Sequence, residues 1–186
     1  MVIGAVLTGG ASRRMGRTKA LIEVGGIPMA ARVAGALAAA GCEPVVLYGG
    51  DPIELATLER RVLADRYPGE GPLGGILGLL ELFAQDATDL LIVACDLAHL
   101  SSTDLAALID VARQRPDVDV VVANGGRPEP ACALWRSTAA DRVRTSFDAG
   151  ERAIHRVLAE LCTVEVPLPP ASLRNINTPG DLDRYP

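Results

Sequence analysis

The sequence predicts an α/β protein, with a mainly parallel sheet carrying helices on both faces. Three observations lead there. Short β-like runs alternate with helical segments along the chain, the pattern of strands joined by crossover helices. The run Asp89 to Ala94 (DLLIVA) is almost uniformly apolar, as a central strand buried on both faces must be. A Gly-rich, basic loop directly follows the first apolar run, where an open α/β sheet presents its ligand-binding edge.

In order, Ile3 to Thr8 reads as the first buried strand and Gly9 to Lys19 as the loop after it. Leu21 to Val24 is a short extended piece ended by a Gly25-Gly26 turn. Met29 to Ala40 is Ala-rich and helical, with Gly41 placed to terminate it. Pro44 to Tyr48 is a second strand, Leu55 to Arg60 a short helix, and Arg61 to Ala64 a weak strand leading to Asp65. A second glycine loop, GEGPLGGILG, opens a helix over Leu73 to Phe83. After the strand Asp89 to Ala94, Ser102 to Arg115 is an amphipathic helix. Val118 to Ala123 and Ala131 to Trp135 are strands. Helices follow over Thr138 to Asp148 and Arg152 to Leu161, then a late strand over Thr163 to Val166. Thr178-Pro179, with Asp181 three residues after the threonine, marks the start of a last helix.

A chain of 186 residues fits one domain, 1–186, with one core. Hydrophobic residues make up 49% and aromatics only 3%, so that core is aliphatic. A net charge of -5 excludes sequence-independent nucleic-acid binding, which needs a basic face. Against that acidic background Arg13, Arg14, Arg17 and Lys19 crowd into one short stretch. Cys42, Cys95, Cys132 and Cys162 show no CxxC spacing, and three lie in or beside apolar runs, so they read as structural thiols. No run reaches transmembrane length and the apolar start has neither the flanking charge nor the length of a signal peptide. A cytoplasmic protein with no membrane partner is the expectation.

Five segments can carry chemistry. The first is Thr8-Gly9-Gly10-Ala11-Ser12-Arg13-Arg14-Met15-Gly16-Arg17-Thr18-Lys19. Its paired glycines let backbone approach a ligand, and Arg14 and Lys19 offer fixed positive charge to a triphosphate. It has neither the Walker order nor the G-x-G-x-x-G pattern. The second is Asp96, at the end of the most hydrophobic strand, where a carboxylate needs a partner and is placed to bind Mg²⁺ that also touches nucleotide phosphates. The third is Gly71 to Gly75, where Gly74 and its neighbours leave room for a base or ribose. The fourth is Arg127-Pro128-Glu129-Pro130-Ala131, which serves equally as an acceptor contact or a rigid turn. The fifth is Asn175-Ile176-Asn177-Thr178-Pro179, where the asparagines either ligate or cap. His99 and His155 form no ligand spacing, and no nucleophile–histidine pair is evident.

With these residues in place, the chain resembles the molybdenum cofactor guanylyltransferase family over nearly its whole length. The marks are LTGGASRRMGRTKAL from Leu7, GPLGGI from Gly71, CDLAHL from Cys95, RPEPACALW from Arg127, AGERAIHRVL from Ala149 and NINTPGDL from Asn175. The resemblance implies a three-layer, Rossmann-like nucleotidyltransferase fold with a mainly parallel mixed sheet. It implies transfer of GMP from GTP to molybdenum-molybdopterin, with pyrophosphate released. By the same carry-over Leu7, Thr8 and Gly9 hold base and ribose, Lys19 binds phosphate, Asp65 meets the nucleotide, Asp96 binds nucleotide and Mg²⁺, and Asn175 and Asn177 serve the acceptor. From their own segments Gly10 and Gly74 join the nucleotide-binding candidates and Arg127 the acceptor-binding ones. Arg14, Lys19 and Asp96 form the catalytic set. The Gly9-Gly10 pair is similar to the guanylyl members and favours GTP over CTP. The resemblance leaves room for transient contacts with other cofactor-biosynthesis proteins. Thr8, Thr18, Tyr48, Ala98 and Glu129 depart from the family's usual residues. Tyr48 stands where an asparagine often meets the nucleotide, and Glu129 where Gln or His is common. Those departures keep two alternatives open: a related transferase with another NTP or phosphorylated acceptor, and a non-catalytic nucleotide-binding paralogue.

Overall fold

Seven strands form the central sheet of the computed structural model, which describes residues 1–9, 18–84, 88–177 and 181. The chain opens with β1 (Val2–Leu7), then a separate ribbon of β2 (Glu23–Val24) and β3 (Ile27–Pro28). There follow α1 (Met29–Ala39), β4 (Val45–Tyr48), α2 (Pro52–Leu55), β5 (Val62–Leu63), α3 (Gly71–Leu82) and β6 (Asp89–Ala94). The second half comprises α4 (Ser102–Gln114), β7 (Val120–Asn124), β8 (Pro128–Trp135), α5 (Ala140–Asp148), α6 (Ile154–Ala159) and β9 (Thr163–Pro167). The spatial order is β5-β4-β1-β6-β8-β7-β9, and β8 alone runs against the others.

The expected three layers are present. Leu91 and Val93 of β6 pack on the side of α1 and α4, while Leu90 and Ile92 pack on the side of α3, α5 and α6. Both faces of that strand are covered, which is why its sequence lacks polar alternation. The Ala-rich face of α1 lies close against β1. A Cβ built on Gly4 would meet Cys42 at 3.0 Å and Leu37 at 3.2 Å, so this strand position has room only for hydrogen.

Several boundaries differ from the sequence reading, some for a clear local reason. The short helix begins at Pro52 rather than Leu55 because Asp51 caps it, accepting from Ile53 N–H at 2.8 Å. It gives way to a 3₁₀ turn over Ala56–Leu58, closed by Glu59 at φ 51°. Gly71 to Gly75 is the first part of α3 rather than a loop, with Pro72 in its opening turn. α6 starts at Ile154 rather than Arg152, since the Glu151 carboxylate accepts from both Arg152 and Ala153 N–H groups at 2.8 Å. β8 starts early, at Pro128, because its pairing with β7 is irregular. Val122 faces Ala133, yet the next residue, Ala123, faces Glu129. The expected helix start at Thr178-Pro179 lies outside the described residues; Asp181 accepts from Asn177 N–H at 3.0 Å.

Cys42, Cys95 and Cys132 are buried, Cys162 is exposed, and all four are free. Burial pushes the Cys42 and Cys95 thiols up to about 12, so they stay protonated and inert near neutrality. No described helix is long and apolar enough to cross a membrane.

Candidate active site

At the carboxyl ends of β1, β4 and β6 lies a cavity of about 940 Å³. Leu7, Gly9, Tyr48, Gly49, Asp65 and Asp96 are among the residues that line it. Its inner wall is backbone against backbone. A Cβ on Gly49, which holds φ 77°, would stand 3.0 Å from Gly9 Cα. Any larger residue here would force the two loops apart. The N–H groups of Thr8 and Gly9 both point at the Tyr48 carbonyl, at 2.9 and 3.3 Å. With those donors engaged, what the main chain offers a base at these two residues is carbonyl oxygen.

Thr8 contributes more than backbone. Its hydroxyl is buried and reaches the Tyr48 and Gly49 carbonyls at 3.1 and 2.7 Å, tying the end of β1 to the end of β4. Asp65 is held by Tyr67 N–H, which donates to its Oδ1 at 2.9 Å. The other oxygen, Oδ2, lies 3.8 Å from the Cβ position of Gly9.

The charged end of the cavity is built by three segments far apart in sequence. Lys19 sits in a 3₁₀ turn over Lys19–Leu21 and donates from Nζ to Asp96 Oδ2 and to Asn177 Oδ1, both at 2.7 Å. Lys19 and Asp96 are 18% and 22% exposed, enough for a ligand to reach and little enough for their charges to act at short range. The Asn177 segment is pinned by buried Ile176, whose N–H donates to the Asp96 carbonyl at 3.0 Å. Asp96 Oδ1 is buried with no hydrogen-bond donor among the described residues. A buried carboxylate oxygen of this kind calls for a partner, and a hard cation is one that suits it. Among the described residues no group of three or more His, Cys, Asp and Glu is placed to hold a metal by itself. Mg²⁺ commonly takes only one or two carboxylates and completes its shell with phosphate and water.

Tyr48 forms part of the cavity wall. Its phenol oxygen accepts from Arg66 N–H at 2.9 Å, and burial pushes its pKa up to about 12. That oxygen occupies a notch in α3, only 2.0 Å from where a Cβ on Gly78 would fall. A Cβ on Gly75 would stand 3.8 Å from the same ring.

A second cavity of about 680 Å³ adjoins the first; Pro72 and Ala131 line both. It opens where the irregular β7–β8 pairing bends β8 out of register, a common way to re-aim side chains beside a site. Arg127, Glu129, Arg152 and His155 give it polar groups, and Val122, Ile154 and Leu158 give it apolar wall. Glu129 is half-buried, and burial, with the nearby Asp96 charge adding to it, pushes its carboxyl above the usual glutamate range. Arg152 bonds to the Phe147 carbonyl at 2.7 Å, pairs with Glu70 at the start of α3, and stacks on Phe147.

Thus Leu7, Gly9, Asp65 and Asp96 line the first cavity, and Lys19 and Asn177 join Asp96 at its charged end. Arg127 lines the second cavity, and Asn175 lines neither. Gly74 lines neither cavity: it packs under Tyr67, where a Cβ would stand 3.0 Å from the Tyr67 Cβ, while its neighbour Gly75 lines the first cavity. Gly10 and Arg14 lie outside the described residues. The reading of sequence missed the Thr8 hydroxyl, Gly49-Gly50, and the α6 wall of the second cavity. The glycine pair was visible as a strand end, but nothing local showed that it would face Gly9.

A mainly parallel α/β sheet with glycine-lined backbone, a lysine and a strand-end aspartate at one carboxyl edge defines a nucleotidyltransferase. The profile of the MobA-like NTP transferase domain matches residues 4–166, and the chain belongs to that family. It is 34% identical, over 98% of its length and 94% of the relative's, to a molybdenum cofactor guanylyltransferase of Cereibacter sphaeroides. Among solved structures it is similar to molybdopterin-guanine dinucleotide biosynthesis protein A of Archaeoglobus fulgidus (TM-score 0.77, 25% identity, 99% and 96% of the two chains covered). It shares its fold with 2-C-methyl-D-erythritol 4-phosphate cytidylyltransferase of Thermus thermophilus (TM-score 0.70, 17% identity, 98% and 96% covered).

Proposed function

We propose that this enzyme transfers GMP from GTP to molybdenum-bound molybdopterin, giving molybdopterin guanine dinucleotide and pyrophosphate. The single observation that carries the reading is the Lys19–Asp96–Asn177 cluster at the mouth of a glycine-walled cavity, in a chain that matches 94% of the length of a relative named molybdenum cofactor guanylyltransferase.

An oxygen of the acceptor's terminal phosphate attacks the α-phosphorus of GTP. The bond from that phosphorus to the bridging oxygen of the β-phosphate breaks, and pyrophosphate leaves with the electron pair. Two anions must meet, so neutralising charge is the main task left to the protein. Lys19, released from its pairing with Asp96, meets the departing phosphates, and Arg14 adds a second positive charge. Asp96, through its unpartnered Oδ1, is the residue that would hold Mg²⁺, and the cation would supply positive charge to screen the phosphates. A phosphate nucleophile is already ionised near neutral pH, so no general base is required. The carbonyl-rich backbone around Thr8 and Gly9 accepts from the N–H edge of guanine, with Asp65 beside it.

The test is a thermal-shift panel of GTP, CTP, ATP and UTP, each with Mg²⁺, followed by pyrophosphate release with molybdenum-molybdopterin. A ligand that binds only the native state raises apparent stability by RT ln(1 + [L]/Kd). A GTP-selective shift, lost in Lys19→Ala, is expected. A shift selective for CTP or ATP would move the enzyme to a sister activity.

A further inference from the structure

The second cavity has the size of a small-molecule site, which commonly spans about 300–1,000 Å³. It lies across Pro72 and Ala131 from the nucleotide cavity, so a molecule seated in it can present a phosphate to the Asp96 end. Its walls suit a flat ring: Pro130 and Ala131 on one strand, Ile154 and Leu158 on α6. Within that apolar slot stands one half-buried carboxylate. Ala131 N–H donates to Glu129 Oε1 at 3.3 Å, which orients the group and leaves Oε2 with no donor among the described residues.

Burial and the Asp96 charge oppose ionisation of this carboxylate and outweigh the Ala131 N–H and the Arg127 charge that favour it, so the ionised form is costly for the protein alone. Such a group is suited to a ligand that supplies donors. A carboxylate accepts two parallel N–H bonds from a planar partner, and those charge-assisted bonds are the strong ones. A pterin carries such a pair on one edge, its ring N3–H and its 2-amino group.

Resting on the reading of the acceptor as a molybdopterin, we infer that this second cavity seats the acceptor's pterin ring. Glu129 selects the ring by accepting from its 2-amino-4-oxopyrimidine edge. Glu129 is then a specificity-determining residue for the acceptor, and the register break in β8 is what aims it. Arg127 and Arg152 frame the same chamber, and neither replaces Glu129, because a guanidinium has no acceptor to offer.

The experiment compares the full-length enzyme with Glu129→Gln. The probes are 6-hydroxymethylpterin and 6-hydroxymethyllumazine, titrated by ligand fluorescence. The lumazine carries a carbonyl where the pterin carries its amino group. The wild type should bind the pterin at least ~10-fold more tightly than the lumazine, and Glu129→Gln should lose that preference. In turnover, Glu129→Gln should raise the KM for molybdenum-molybdopterin by ~10-fold or more. Its KM for GTP and its GTP thermal shift should stay unchanged, which also shows that the variant is folded. A pterin preference kept by Glu129→Gln, with an unchanged acceptor KM, would overturn the inference while leaving GMP transfer to molybdopterin standing. A wild type that transfers GMP only to a different phosphorylated acceptor would overturn both.

Discussion

The two cavities share an edge and are built from opposite materials. The first is walled largely by main chain and glycine, with Gly9 against Gly49 and the Thr8 hydroxyl pulling β1 and β4 together. The second is walled by side chains drawn from β7, β8, α6 and β9, around a place where strand pairing fails. Backbone walls move little and present identical atoms whatever the side chains, so they suit a ligand that stays the same while side chains diverge. Side-chain walls can be changed residue by residue, which suits the partner that differs from one enzyme to the next.

That contrast can be broken in graded steps. The largest effect should come from the charged end of the first cavity. Asp96→Ala and Lys19→Ala should each lower turnover by about 10²-fold to 10³-fold, read by pyrophosphate release, while circular dichroism stays unchanged. A near-wild-type rate for Asp96→Ala would remove the metal assignment. Next comes the glycine wall. Gly49→Ala must hold φ 77° and place a Cβ 3.0 Å from Gly9 Cα, so GTP affinity should drop ~10-fold or more. Gly78→Ala should act at greater distance by evicting the Tyr48 phenol from its notch. Overpacking of that kind costs roughly 1–3 kcal/mol, visible as a lower midpoint in urea and a weaker GTP shift.

Smaller still is Thr8→Val, which removes the hydroxyl from two buried carbonyls at constant shape. A loss of ~1 kcal/mol in stability is expected, with the acceptor KM untouched. The smallest effect has the opposite sign. Burial raises the carboxyl pKa of Glu129 in the folded protein, so its folding penalty appears as pH rises through that raised value. Glu129→Gln should therefore raise Tm at pH 7.5 by about 1–3 °C, and the gain should vanish near pH 4, where the glutamate is protonated in the folded state. A stabilising substitution that weakens acceptor use would mark Glu129 as a functional group rather than a packing one.

Residues that work through their own local backbone were legible in advance. The order of strand, double glycine and clustered cations pointed to the carboxyl edge where the first cavity lies, and DLLIVA followed by Cys95-Asp96 pointed to a carboxylate at a strand end. Gly71 to Gly75 was read as a loop because Gly-Pro-Leu-Gly-Gly looks like a turn, whereas Pro72 fits the first helical turn and the small residues let α3 lie on Tyr48 and Tyr67. Arg127 and Glu129 were read together as either an acceptor contact or a rigid turn, and nothing in that motif showed the chamber that their strand opens onto.

From its amino-acid order alone the chain determined its layers, the identity of its central strand and the sheet edge at which the first cavity opens. Apolar periodicity and glycine placement are local properties that act through short stretches of chain. Only the tertiary structure decided that Lys19 and Asn177 meet at Asp96, that Gly49 faces Gly9, and that a break in strand register opens a second chamber around Glu129. Those contacts join residues distant in sequence. Their geometry follows from how the sheet and helices pack as a whole, which no local pattern encodes.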